Sequence, residues 1–196
     1  MPHAATTSAP RQIRESILGA ALHLFTQRGY FNTSVPDIAR MAKCSVGSIY
    51  HHFNDKEDVA RAVYLGLLKG LQEKLAEVAQ QNTTAHDRCR AVMAMLFDLT
   101  ESNRDAMDFI LYAKHREFLP NEHPLCSSKP FEMMRKFVSN GMAQGEIRQM
   151  DVMVAASCLF GGSIRLITAR LDGVLAEPLP DRLEAVWECA WRGVAA

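Results

Sequence analysis

Apolar residues recur at three- and four-residue spacing along most of the chain, and no stretch alternates with period two for long enough to be a strand. In 11–28, Ile13, Ile17, Ala20, Ala21, Leu24 and Phe25 share one helical face, and Gly29 supplies a left-handed stop. A long helix is predicted over 56–80, with Val59, Ala62, Val63, Leu67, Leu71, Leu75 and Val78 as its stripe. Gly66 and Gly70 lower its local propensity, which suits either a pliable connection or close helix packing. Further helices are predicted at 85–102, 104–118, 128–144, 151–171 and 180–194. The breaks between them fall at Ser102-Asn103, at the proline-bounded stretch 120–130, at Gly145, and at 173–180. The expected fold is all-α.

The stretch 32–58 carries the densest local signals. A hydroxyl at Thr33 or Ser34 can cap a first short helix, with Pro36 just inside it and Ile38, Ala39 and Ala42 on one face. Ser45 can cap a second helix over 46–53, whose inner face holds Ile49 and Phe53. Asp55 can cap the long helix, supported by Asp58 in its first turn. Two short helices joined by a tight turn are a helix-turn-helix, whose second helix enters the DNA major groove.

Composition adds limits rather than a site. The 196 residues are 48% apolar, so a substantial core is expected. No apolar run approaches the roughly 20 residues that cross a bilayer, and residues 1–10 are small and polar, so they read as a leader on a cytoplasmic protein with no membrane partner. With 22 basic and 22 acidic residues, bulk electrostatics does not drive nucleic-acid binding, although a local basic surface is permitted. The five cysteines are odd in number and widely spaced, which favours reduced thiols over a disulfide scaffold.

The 32–58 residues resemble the DNA-binding signature of the TetR family of transcriptional regulators. The resemblance rests on Thr33, Ile38-Ala39, Ala42-Lys43-Cys44-Ser45, Gly47, Tyr50-His51-His52-Phe53 and Lys56-Glu57-Asp58, with Leu24-Phe25 and Gly29-Tyr30 before them and Gly145-Glu146-Ile147-Arg148 after. It implies a three-helix DNA-binding domain over 11–55 and a helical ligand-binding and dimerisation bundle over 56–196. It further implies a homodimer on a pseudo-palindromic operator, most simply a repressor released by a small effector. Where the family has Gly-Val in the turn, this chain has Lys43-Cys44. A lysine in a left-handed position costs about 1 kcal/mol, and adds a positive charge beside DNA.

Within that reading, Thr33, Ser34, Tyr50, His52 and Lys56 are candidates for phosphate contacts, because helix N-termini and cations favour anions. Base readout falls to Lys43, Ser45, Val46, Gly47, Ser48 and His51. Arg11 and Arg14 reach DNA or form a solvated face, and Phe53 is expected to pack. An effector cavity is expected among Met93, Leu96, Phe97, Met107, Ile110, Leu111, Phe131, Met134, Phe137 and Phe160, with Tyr112, His115, Arg116 and Glu117 as polar candidates and Arg116 able to hold an anionic group. The alternative is that this stripe is ordinary core. Leu159, Gly162 and Leu166 on one late helix, and Leu183, Trp187 and Trp191 on the last, are the expected dimer interface.

A thiol- or metal-sensing regulator on the same fold is the competing reading. It would use Cys44, or the His86–Cys89 and His123–Cys126 pairs. Pro124 spoils helical geometry in the second pair, and no metal site or cofactor is expected. No G-x-S-x-G, H-E-x-x-H, phosphate loop or dinucleotide fingerprint occurs, so an enzyme is not expected.

Overall fold

The computed structural model describes residues 8–196, with side chains from Arg11 onward. The helices are α1 (Ser8–Arg28), α2 (Val35–Met41), α3 (Val46–His52), α4 (Lys56–Gln81), α5 (Ala85–Ser102), α6 (Arg104–Tyr112), α7 (His115–Phe118), α8 (Lys129–Ala143), α9 (Val152–Leu171) and α10 (Leu183–Arg192). Two 3₁₀ turns, Leu125–Ser127 and Leu179–Arg182, lie between them. Among the described residues there is no strand, only an isolated bridge between Ile147 and Ala195. The leader expected at 1–10 lies, through residue 7, outside the described residues, and its last three residues already belong to α1.

The chain folds as two compact units. The first holds the chain up to Leu67 together with Asp108–Glu122; the second holds Leu68–Met107 and His123–Ala196. The division between these compact units falls within α4, and a later segment, Asp108–Glu122, joins the N-terminal unit. The reason is aromatic. Phe118 stacks on Tyr30 with ring centres 4.4 Å apart, Phe109 lies 6.3 Å from Phe25, and His115 sits 4.6 Å from Tyr64. The same packing splits the single helix expected at 104–118 into α6 and α7, although Ala113-Lys114 contains no local breaker.

The core of the first unit is Ile17, Ala21, Leu24 and Phe25 of α1 against Ile38, Ile49, Phe53, Val59 and Tyr64. Ile13, expected on the same face, is 38% exposed because α1 begins before the elements it packs on. Gly29 closes α1 at φ 82, with its N–H on the Phe25 carbonyl.

In the second unit α5 packs against α8, α9 and α10. Glu146 accepts from the N–H groups of Ala85 (2.8 Å) and His86 (3.0 Å), placing a carboxylate on the positive end of α5. Arg170 grips Glu101 through two nitrogens, each at 2.9 Å, and the N–H of Leu179 adds a third bond to that carboxylate. Gly141 lies where a Cβ would come within 2.6 Å of the Ala85 Cβ, so the crossing of α8 and α5 admits no side chain there.

The apolar run of α9 is longer than the sequence pattern suggests. By length and composition, α9 is apolar enough to cross a bilayer, with mean hydropathy 1.7, and 28% of that window is buried within the chain. Its serines, glycines, threonine and two arginines interrupt the run, yet the mean hydropathy stays high.

Candidate nucleic-acid interface

The α2–α3 unit is built by caps. Ser34 accepts from the Asp37 N–H and donates its own N–H to the Asp37 carboxylate at 3.1 Å, closing a capping box. Hydrogen bonding to the Ser34 hydroxyl is the leading reason the Asp37 carboxyl is held below its ordinary range. Ser45 accepts from the Ser48 N–H at 3.0 Å and starts α3. Between the helices, Lys43 has φ 53, the one non-glycine with positive φ among the described residues. The left-handed turn of the pattern is thus kept, with lysine bearing its strain. The Ser16 hydroxyl fastens the start of this turn to α1 by donating to the Ala42 carbonyl at 3.2 Å. Nothing local in the sequence marks Ser16 for that role.

On α3 the burial is one-sided. Ile49 and, at its C-cap, Phe53 are buried, while Ser45, Val46, Gly47, Tyr50 and His51 are exposed and Ser48 and His52 are half-exposed. Ser34 and Lys43 are exposed beside them. The Arg14 guanidinium lies 5.3 Å from the Phe53 ring, and Arg11 pairs with Glu15 at 3.0 Å in solvent.

Two expected phosphate contacts are placed elsewhere. Thr33 is 2% exposed, and its hydroxyl lies within bonding distance of the carbonyls of Gly29 (2.9 Å) and Leu24 (3.3 Å). It joins the end of α1 to the start of α2 and does not face outward. Lys56 is half-buried, its ammonium donating to the carbonyls of Tyr30 (2.9 Å) and Thr33 (3.0 Å). Burial lowers the Lys56 pKa from its ordinary value. Sequence spacing put both residues at helix starts; tertiary packing turned them inward.

The expected effector residues are distributed over both units. In the second unit Met93, Leu96, Phe97, Met107, Met134, Phe137 and Phe160 are buried core, and Phe131 is half-buried. Phe137 also borders a groove of about 430 Å³, with the Arg88 guanidinium 5.8 Å from its ring. In the first unit Ile110 is buried, Leu111 and His115 are half-buried, and Arg116 is exposed. His115 Nε2 is buried without a hydrogen-bond partner, and burial, opposed by a backbone bond at Phe109, holds its pKa below the ordinary value.

The expected dimer residues also divide. Leu159 and Trp187 belong to the chain's own core, correcting their assignment to an outer face. The inward stripe of α9 runs through Ala155, Leu159, Ile167 and Leu171, and the Trp187 indole donates to His86 Nε2 at 3.2 Å. Because α9 carries apolar residues on more than one face, its sequence did not say which stripe faces in. Gly162 is exposed, and Leu166, Leu183 and Trp191 are half-exposed. Gly162 and Leu166 border an apolar groove of about 680 Å³ that also involves Cys158, Val186 and Cys189.

The His/Cys pairs do not assemble a metal site. Cys89 is fully buried, and burial pushes its thiol up to about 12, while His86 is engaged by Trp187 and Asp87. Among the described residues no group of three or more His, Cys, Asp or Glu is placed to hold a metal ion. Cys44 is half-buried under the turn.

A capped, two-helix reader with a glycine in its outer face, followed by a helical bundle, defines the class of helix-turn-helix regulators. Residues 17–63 match the bacterial regulatory proteins of the tetR family, and 64–196 match the tetracyclin repressor-like C-terminal domain. The chain belongs to the tetR family of bacterial transcriptional regulators. It is 30% identical over 153 residues to the HTH-type transcriptional repressor KstR2 of Mycolicibacterium smegmatis, covering 75% of this chain and 74% of that protein. It is 34% identical over 94 residues to the HTH-type transcriptional regulator HbdR of Aromatoleum sp. (strain CIB), spanning 47% of this chain and only 41% of HbdR. Its fold is similar to that of the regulator FadR from Bacillus subtilis in complex with stearoyl-CoA, with TM-score 0.77, 21% identity, and 91% and 98% of the two chains covered.

Proposed function

We propose that this protein is a ligand-responsive repressor that acts in the cytoplasm as a homodimer and leaves its palindromic operator when a small apolar or amphipathic effector binds. The observation that carries the reading is the one-sided burial of α3. Tyr50, at 54% exposure, and Val46, at 38%, stand outward from a helix anchored by Ile49 and Phe53. That outward face belongs to the second helix of a helix-turn-helix, the element that enters the major groove. Val46 meets a thymine methyl, Gly47 lets the backbone approach base edges, and Lys43, Ser45, Ser48 and His51 read their polar groups. Ser34, Tyr50 and His52 hold phosphates and set the register.

The effector enters the bundle among Met93, Phe97, Met134 and Phe160, displacing flexible methionines. Ligand shifts the population toward a state with lower operator affinity, which requires only that it prefer that state. KstR2 is named a repressor, and FadR is seen with stearoyl-CoA; both support this class of effector here. The apolar stripe through Gly162 and Leu166 supports the dimer.

The test is selection of the full chain on random duplex DNA, followed by anisotropy titration of the enriched sequence. An enriched palindrome is expected, with Tyr50→Ala weakening it at least tenfold at unchanged melting temperature. Stearoyl-CoA, added as the probe, is expected to weaken the operator complex. Enrichment of no sequence would overturn the DNA reading; an operator affinity unchanged by stearoyl-CoA would remove that effector.

A further inference from the structure

We infer that the second unit carries an anion site, a groove between α4, α5 and α8 that takes a phosphate or diphosphate group. The groove has a volume of about 430 Å³ and is walled by Gln72, Arg88, Lys129, Lys136, Phe137 and Asn140. It lies wholly within this unit and shares no residue with the α3 surface. Three cations border it, Arg88, Lys129 and Lys136, and one carboxylate, Glu132. Lys129 spends itself on that carboxylate, 3.1 Å from each oxygen. Arg88 and Lys136 are the uncompensated pair, since among the described residues neither is paired with a carboxylate. The α4 wall adds no charge of its own: it presents Gln72 and Ala79, while Glu73 turns to Lys69 at 3.8 Å.

Arg88 is fixed before any ligand arrives. Its Nε donates to the Asn82 carbonyl at 2.9 Å and its Nη2 to the Ala79 carbonyl at 3.3 Å, and the guanidinium lies 5.8 Å from the Phe137 ring centre. Capping the end of α4 accounts for those two nitrogens. Nη1 donates to no protein group, and half-burial of the residue leaves it a preset donor at the groove wall. On α8, Lys129, Lys136 and Asn140 follow at helical spacing along one face, with half-exposed Met133 and buried Phe137 as the apolar floor beside them. The Lys136 ammonium and the Asn140 amide have no protein partner among the described residues. A fixed fork of N–H donors facing a mobile ammonium suits a group with several oxygens and more than one negative charge. A phosphate monoester carries about 1.5 to 2 charges near pH 7, where a carboxylate carries one. The volume leaves room for a compact organic body beside the anion.

Calorimetric titration of the full chain with ADP tests this, with adenosine as the neutral comparator and inorganic pyrophosphate as the anion without a body. Saturable ADP binding is expected, at least tenfold tighter than adenosine. Lys136→Gln should weaken it at least fivefold at unchanged melting temperature, since that side chain is exposed and bonds to nothing in the chain. Arg88→Lys keeps the charge, loses the fork and should also weaken ADP at least fivefold. Lys74→Gln, an exposed lysine of α4 outside the groove, should leave binding unchanged. ADP tighter than pyrophosphate would assign the site to an ester, and the reverse to the free anion; either supports a phosphate site. Absence of saturation by both anions would overturn the proposal, as would equal binding of adenosine. So would a loss in Lys74→Gln matching that in Lys136→Gln, because the attraction would then belong to the whole surface. Displacement of ADP by operator duplex, with Lys136→Gln weakening the operator complex, would also overturn it by placing DNA backbone in the groove. The proposal does not depend on which effector enters the bundle.

Discussion

The Lys56 ammonium donates to the Tyr30 carbonyl at 2.9 Å and covers the ring of the same residue at 4.1 Å. A residue at the start of α4 thereby closes the loop between α1 and α2. Lys56→Met would leave the Tyr30 and Thr33 carbonyls without this donor, at a cost of about 1–3 kcal/mol. In a chain of this size that lowers the melting temperature by about 2–4 °C per kcal/mol. The salt dependence of operator binding should keep its slope. A slope reduced by about 1.8 in log–log form, two lysines per dimer, would instead put Lys56 on a phosphate.

Lys43 gives the opposite pattern. Its φ of 53 places strain in the turn itself. Lys43→Gly should leave stability unchanged or raise it by up to about 1 kcal/mol, the relief of left-handed strain being partly offset by glycine's freedom when unfolded. Lys43→Val should lower stability by about 1–2 kcal/mol, since a branched side chain is least tolerated there. Both variants should weaken operator binding and reduce its salt slope, because an exposed charge beside the reading helix is lost. Denaturant melts and anisotropy at several salt concentrations separate the two effects.

Gly141 tests the bundle. A Cβ there would meet Ala85 at 2.6 Å and Ile147 at 2.8 Å. Gly141→Ala should cost about 1–3 kcal/mol by overpacking, despite alanine's better helix propensity. A rise in melting temperature would mean that α5 and α8 separate freely. Gly161→Ala, with nothing within 4 Å within the chain, is the matched control and should be neutral or slightly stabilising in the monomer.

His115 sets a pH dependence. Its pKa is lowered by burial among Tyr64, Phe109 and Phe118, so the unfolded chain takes up a proton here first as pH falls. The stability tied to the neutral ring is present above about pH 6.5, the unfolded value, and is lost as pH drops toward the folded one. His115→Phe should therefore narrow the gap between melting temperatures at pH 7.5 and 5.5. An unchanged gap would locate the acid sensitivity elsewhere.

The reader was legible in the sequence because its determinants are local. Ser34, Pro36, Ser45, Asp55 and Gly29 each act within four residues of themselves, and the structure uses each as spacing suggests. What escaped was tertiary. The break at Ala113-Lys114 follows from rings meeting across the fold, not from a breaker. The inward stripe of α9 was hidden by apolar residues on more than one face, so Leu159 and Gly162 looked equivalent. Thr33 and Lys56 stand at helix starts in sequence, and only packing shows their polar atoms spent on carbonyls.

The Thr33 hydroxyl has a wider consequence. It meets carbonyls, groups that every residue at positions 24 and 29 would supply, whatever its side chain. The join between α1 and α2 is therefore held in part by main-chain groups, so a side-chain change at 24 or 29 leaves this contact's acceptors in place while the apolar core around it must repack.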